Sequence, residues 1–223
     1  LGGGFHHAFP DHGEGFCMVH DVAIAIRKLQ KRRRIRRAMT VDCDVHQGNG
    51  TAAIFGNSGL KPGPFSAWHA ENPAKAQSAT LTQTDAKDVF TISLHQQNNY
   101  PQWKPPSTID VNLPDGCGDA EYLAWLDNAL SSALCQFKPD LICYIAGADP
   151  YREDQLGGLN LTIEGLKQRD TLVFRAARAQ ELPVMVAYAG GYANLVEDTV
   201  TIHTNTVLAA AEVYGAAPLA PEA

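Results

Sequence analysis

No run of about 18 or more apolar residues occurs in the chain, so no segment of it reads as a membrane span. No basic-then-apolar leader precedes the first motif, and no secretory signal is read. Cysteine is scarce. Cys17, Cys43, Cys117, Cys135 and Cys143 make an odd set with no CxxC pair and no triad-like context, and several sit in apolar runs and read as buried, reduced thiols of a cytoplasmic protein. Internal repeats are lacking too. What remains is ordinary for a soluble globular protein: 45% hydrophobic, 19% charged, and 223 residues, enough for one large domain with a substantial core. Position 1 is Leu rather than Met and a functional-looking loop follows at once, which reads as a start partway through a longer protein.

Charge is unevenly placed. The net charge is −6, yet eight of the eighteen basic residues lie between Arg27 and Arg37. Such a cluster suits either an acidic partner or the solvated end of a helix, where cations complement the helix dipole. The acidic balance of the whole argues against nucleic acid as a main partner. Nothing in the sequence fixes the oligomeric state.

Hydrophobic periodicity gives a strand–loop–helix rhythm. Val19 to Gln30 has helical spacing, and Ala38 to Val45 reads as a buried strand. Val89–Leu94 and Ile109–Leu113 are further strands, followed by a long amphipathic helix over Asp119–Phe137. Then come strand Leu141–Ala146, a helix opened by Thr162 and running to Gln180, strand Pro183–Ala189, and a last helix over Asp198–Val213. The alternation predicts an α/β fold, three layers deep, with a mostly parallel sheet covered on both faces. Residues 57–87 break the rhythm and are too long for a plain connection. They read as an insertion, in which Trp68 and His69 suit either surface decoration or a lid. Residues 215–223 read as a frayed tail.

Ligands of such sheets bind beyond the carboxyl ends of the strands, and the polar residues cluster there. In Asp42-Cys43-Asp44-Val45-His46, continued strand alternation would send Asp42, Asp44 and His46 to one face and Val41, Cys43 and Val45 into the core. Two carboxylates and an imidazole crowded together are costly without a cation, and zinc takes this donor mixture. An Asp-rich turn with a His cap is the plainer alternative. Asp149 follows strand Leu141–Ala146 and offers either a third ligand or a loop cap. Gly190-Gly191-Tyr192 follows another, with a phenol as donor. Gly2-Gly3-Gly4-Phe5-His6-His7 opens the chain with a histidine pair that composition alone could produce. Together these supply ligands, a base and an oxyanion donor, the parts that metal-assisted hydrolysis needs.

These motifs, with Gly15-Phe16-Cys17 and Gly147-Ala148-Asp149, resemble the arginase/deacetylase-fold family of histone deacetylases. Its bacterial relatives include acetoin-utilisation proteins and acetylpolyamine amidohydrolases. The likeness runs from Gly2 to about Tyr214, apart from the insertion, and makes 1–214 the catalytic domain. His46-Gln47-Gly48-Asn49-Gly50 is most similar to the class IV branch. The resemblance implies one zinc ion on Asp44, His46 and Asp149. It makes His7 the general base and then acid, His6 its electrostatic neighbour, Asp42 the partner of His6, and Tyr192 the donor to the scissile carbonyl. Asn49 stands where class I members have Asp, so His7 should titrate lower than in an Asp-paired relative. Gly15, Phe16, Tyr100, Leu156 and Gly191 match residues around the acyl-lysine stem. Asp42, Ser93 and Leu94 match a structural potassium site.

Three departures stand out: His20 replaces an Asn, Ala189 precedes the two glycines, and the family's first strands and rim loop are missing. The expectation is therefore an N-terminally truncated deacetylase acting on acetyl-lysine or longer acyl-lysine in proteins. An acetylpolyamine or other small acyl-amine substrate is the nearest alternative. A two-manganese ureohydrolase-like enzyme needs more ligands than are visible. An inactive fragment or a non-catalytic acyl-lysine binder would be expected to lose His7 or Tyr192, and both are present.

Overall fold

The computed structural model describes residues 3–56, 79–84 and 86–215. Its elements are α1 (Asp21–Lys31), β1 (Ala38–Asp42), α2 (Asn49–Phe55), β2 (Thr80–Gln83), β3 (Val89–Gln96), β4 (Ile109–Leu113), α3 (Asp119–Gln136), β5 (Leu141–Ile145), α4 (Ile163–Ala179), β6 (Val184–Ala187) and α5 (Val196–Tyr214). The six strands form one sheet in the order β2-β4-β3-β1-β5-β6. All neighbours are parallel except the β2–β4 pair.

Alternating side chains divide the core between the two faces of the sheet. Met39 and Val41 of β1, Phe90, Ile92 and Leu94 of β3, and Ile142 and Tyr144 of β5 pack with Leu126, Leu166, Phe174 and Ile202 from α3, α4 and α5. Ala38, Val89 and Cys143 face the other way, against Val22, Ala23 and Ile26 of α1 and Phe55 of α2. The predicted three-layer arrangement is thus the observed one. Strands β1 and β3 are buried along their whole length, as central parallel strands are.

Two elements escaped the periodicity. The seven-residue α2 is too short to show a repeat, and it begins after Gly48, which provides no side-chain cap. The end of the proposed insertion forms β2, a mostly exposed antiparallel edge strand. Trp68, His69 and the tail beyond Gly215 lie outside the described residues. His20 caps α1: its Nδ1 accepts from the Ala23 amide at 3.2 Å and its Nε2 lies 2.9 Å from Thr51 Oγ1. The basic run ends that helix, with Lys28 and Lys31 in its last turn and Arg27 paired to Asp88. Four cysteines are buried and Cys135 is exposed. No helix among the described residues is long and apolar enough to cross a membrane.

Candidate metal centre

The polar residues meet beyond the carboxyl ends of β1, β5 and β6, but not by strand alternation. β1 stops at Asp42, so Asp44 and His46 lie on a bent segment leading to α2. Side-chain carboxylates fold that bend. Asp42 Oδ1 accepts from the Asp44 amide at 3.2 Å, and Asp44 Oδ1 accepts from the His46 amide at 3.0 Å. Val41, Cys43 and Val45 are fully buried in the core, as expected. The loop after β5 is tied in by Asp149 Oδ1, which accepts from the Val45 amide at 2.9 Å. The loop after β6 is tied in by the Gly190 amide, which donates to Asp44 Oδ2 at 2.9 Å. A Cβ at position 190 would collide with Asp149 Oδ2, so only glycine passes between the carboxylates.

The result is a buried group of donors. One ligand atom each from Asp44, His46 and Asp149 lies within 4.8 Å of the others, the only such trio among the described residues. His46 Nδ1 is 3.0 Å from Asp44 Oδ1 and 3.2 Å from Asp149 Oδ2, yet Asp149 Oδ2 makes no hydrogen bond. A fully buried carboxylate oxygen without a donor is costly and calls for a cation. Two carboxylates and one imidazole are a donor set that zinc accepts, with room for further ligands.

Protons fill that role when protein groups act alone. Burial and the neighbouring Asp44 push Asp149 up to about 7. Burial opposes protonation of His46, but the Asp149 and Asp44 carboxylates beside it outweigh that and raise it to about 10. Burial also works against ionised Asp44, while His6 and His46 hold it well below the usual carboxylate range. A metal must therefore displace protons from His46 and Asp149. Its affinity is expected to rise with pH across the neutral range, with proton release visible by calorimetry in buffers of different ionisation enthalpy. Affinity independent of pH would contradict this arrangement.

The histidine pair sits above the trio, its rings 4.0 Å apart. His6 Nδ1 bonds Asp42 Oδ2 at 2.7 Å, and His6 Nε2 is 3.7 Å from Asp44 Oδ1. Burial works against its charge, but Asp42 and Asp44 prevail and raise it to about 9. His7 goes the other way. Burial and the His6 charge lower it to about 3, against the opposing effect of its 2.8 Å bond to Asn49 Oδ1. One ring is thus cationic and the other neutral. Asn49 Oδ1 also accepts from the Gly50 amide at 3.1 Å, while Asn49 Nδ2 donates to Glu14 Oε1 at 3.1 Å. With the amide oriented that way, His7 Nδ1 must carry its hydrogen, leaving the lone pair on Nε2.

A cavity of about 440 Å³ opens over the trio, walled by His6, His7, Gly15, Phe16, Tyr100 and Leu156, with Tyr192 at its side. Phe16 is held with φ at +63°, unusual for a bulky residue, and is 84% exposed at the rim. Its ring centroid is 6.3 Å from that of Tyr192. Asp42 and Asn49 lie behind the histidines rather than in the wall. Gly191 does not line the cavity either; a Cβ there would meet Thr199 and Ala148 instead, and Gly190 takes the place assigned to it. Ser93 is the register partner of Asp42 on β3, followed by Leu94, all three buried.

Three residues escaped sequence reasoning. Asp154 accepts from the Leu156 and Gly157 amides through Oδ1 and from the Tyr192 amide at 2.6 Å through Oδ2, so it joins two walls of the cavity. Arg169 of α4 reaches under the site, its Nη1 donating to Gly147 O at 2.6 Å and Cys43 O at 3.3 Å. Glu14 bonds both Asn49 and Tyr100. Only Asp154 left a trace in sequence, as the polar residue opening the Asp-Gln-Leu-Gly-Gly turn after Asp149.

Residues 1–207 match the family described as the histone deacetylase domain. An uncharacterized protein of Picosynechococcus is 40% identical over 212 residues, covering 95% of this chain and 61% of that protein. Histone deacetylase 2 of Arabidopsis thaliana is 33% identical over 195 residues, 86% of this chain and 43% of that one. Among solved structures, acetylpolyamine aminohydrolase from Burkholderia pseudomallei superposes with a TM-score of 0.69 at 25% identity, over 95% of this chain and 54% of that one. The chain thus spans 61% or less of the length of each of these proteins.

Proposed function

The chain belongs to the histone deacetylase family, and from that premise we propose that it carries the centre of a zinc-dependent amide hydrolase acting on N-acetyl or longer N-acyl lysine in proteins. The observation that carries this reading is the unpartnered Asp149 Oδ2 beside Asp44 and His46, under a neutral His7 whose Nε2 lone pair is free.

Asp44, His46 and Asp149 would hold the ion, which when bound supplies Lewis-acid activation of water and of the amide carbonyl. His7 Nε2 takes the proton of the attacking water, its ring held by Asn49. His6, kept cationic by Asp42 and Asp44, disfavours a second charge next to it, so His7 readily passes its proton on to the departing amine nitrogen. The Tyr192 phenol, which burial and the Asp149 carboxylate hold protonated with its pKa up at about 12, donates to the oxygen on which charge develops. Phe16, Tyr100 and Leu156 flank a linear stem. A monovalent cation, potassium in our reading, suits the oxygens of Asp42, Ser93 and Leu94. Buried thiols suit a cytoplasmic setting.

The test is turnover of an acyl-peptide and acyl-polyamine panel by the full-length protein. Tyr192→Phe is expected to lower kcat by about 10²–10³, the usual cost of one oxyanion donor, with the metal retained. Equal rates for wild type and His7→Ala would leave a non-catalytic binder as the better reading. A small acyl-amine substrate is the second reading, favoured by the likeness to the Burkholderia acetylpolyamine aminohydrolase, and preference for the acyl-polyamines would select it.

A further inference from the structure

The carboxylate that is missing at position 49 has a counterpart one residue further from His7. Asn49 Nδ2 donates to Glu14 Oε1 at 3.1 Å, and Asn49 Oδ1 accepts from His7 Nδ1 at 2.8 Å. The three side chains form one line of hydrogen bonds: imidazole N–H to amide oxygen, amide N–H to carboxylate. Glu14 Oε1 also accepts from the Tyr100 hydroxyl at 2.6 Å, and the Tyr100 ring stands edge-on to His7 with centroids 5.0 Å apart. On the far side, His12 Nε2 is 3.5 Å from Glu14 Oε2.

The backbone that carries Glu14 is locked. Residues Glu14 to Cys17 form a tight turn with Glu14 and Cys17 bonded both ways, at 2.9 and 2.7 Å, and with φ at +51° for Gly15 and +63° for Phe16. Positive φ at both central residues is the mark of a type I′ turn. Gly15 lies flat on His7, where a Cβ would run into the imidazole at Cδ2. One four-residue turn therefore covers the imidazole, sets Phe16 at the rim and aims a carboxylate at Asn49.

We propose that Glu14 is the positioning residue of the general base: through Asn49 it fixes the His7 tautomer, and through Tyr100 it fixes one wall of the substrate cavity. An amide can turn either its oxygen or its nitrogen to an imidazole. Only the first choice puts hydrogen on Nδ1 and leaves Nε2 basic. The Gly50 amide favours that choice with one neutral bond at 3.1 Å. Glu14 enforces it from the other end with a charge-assisted one, the stronger kind. Polarised by Glu14, the amide oxygen also holds the imidazole N–H more firmly, as outer carboxylates do for ligating and catalytic histidines.

This inference rests on His7 being the base, and its test separates the two. In the full-length protein, Glu14→Ala is expected to lower kcat for an acetyl-lysine peptide about tenfold, the lower end of the usual cost of an outer-shell partner, and to raise KM because Tyr100 loses its anchor. The ¹⁵N resonances of the His7 ring should move from a single Nδ1–H tautomer toward a mixture. Adding Asn49→Asp to Glu14→Ala puts an oxygen-only acceptor next to His7, so it should restore both the ¹⁵N pattern and kcat while KM stays raised. A purely structural Glu14 would not be rescued this way. An unchanged tautomer and kcat in Glu14→Ala, or no recovery in the double variant, would overturn the proposal. If the parent turns over no acyl substrate, the hydrolase reading fails, and the ¹⁵N pattern still decides on Glu14.

Discussion

Asp149→Asn should strip the centre of its metal and yet leave the metal-free chain more stable at pH 7 than its parent. The amide keeps an oxygen for the Val45 amide, so the loop tie of 2.9 Å survives. What goes is the anionic oxygen that has no donor. Removing a direct ligand should weaken metal binding by more than the ~10–100-fold typical of outer-shell partners, and hydrolysis should fall with it. The stability effect has the opposite sign. Asp149 is held up to about 7 by burial and Asp44, against an unfolded value of about 3.9. Over that window the folded chain binds the extra proton, so stability falls as pH rises from about 4 through 7. A neutral amide at this position carries no such penalty, and His46, which loses one of its two carboxylate neighbours, keeps Asp44 at 3.0 Å. Chelator competition and denaturant titration of the metal-free proteins, side by side at pH 5 and pH 7.5, give both signs. A variant that keeps its metal, or is less stable than its parent when metal-free at pH 7.5, would refute this account of the site.

The second large effect lies below the site. Arg169→Met should cost about 3–5 kcal/mol, the usual penalty for removing one member of a buried ion pair. Arg169 is wholly buried. Its Nε donates to Asp170 Oδ1 at 2.9 Å and its Nη2 lies 2.8 Å from the same oxygen. Asp170 also accepts from Tyr144 and, at 2.6 Å, from Thr206. Losing the guanidinium strands that carboxylate and two backbone carbonyls, Cys43 O and Gly147 O, each next to a ligand-bearing bend. The double variant Arg169→Met/Asp170→Asn should recover part of the loss, because the neutral amide leaves no unpaired charge and can still accept from one hydroxyl through its oxygen while its nitrogen donates to the other. Urea midpoints at constant m-value measure this. A loss below about 1 kcal/mol would assign the pair to the surface class of ion pairs, contrary to its burial.

Most of the strands and the polar residues that meet at the site were legible in the sequence because both are written locally. Buried parallel strands read as apolar runs; Asp42 ends one of them, Asp44 and His46 follow it, and Asp149 follows another. Their convergence does not come from strand alternation. The strand stops at Asp42, and carboxylate-to-amide bonds carry Asp44 and His46 into place. A period-two pattern and a bend held by Asp side chains look alike in sequence. Glu14 and Arg169 were illegible for another reason. A Glu in a glycine-rich loop and an Arg within a helix pattern both read as solvated charges, and only the tertiary contacts, 35 and 126 residues distant, show otherwise. Gly191 shows the limit of carrying a motif over by position: of two adjacent glycines, the backbone turns Gly190 toward the carboxylates.

The two bonds that draw the ligand loops together also say when the centre comes into being. Val45 to Asp149 spans 104 residues and Gly190 to Asp44 spans 146. Closing such loops is entropically costly and gains nothing until β1, β5 and β6 lie side by side. The hydrogen bonds within a helix such as α4 close over about four residues and carry no such cost. The centre can therefore be complete only once those three strands are docked, and a chain in which they are not has its carboxylates but no place for an ion. On the proposed reading, metal binding would then report the completed fold rather than any part of it.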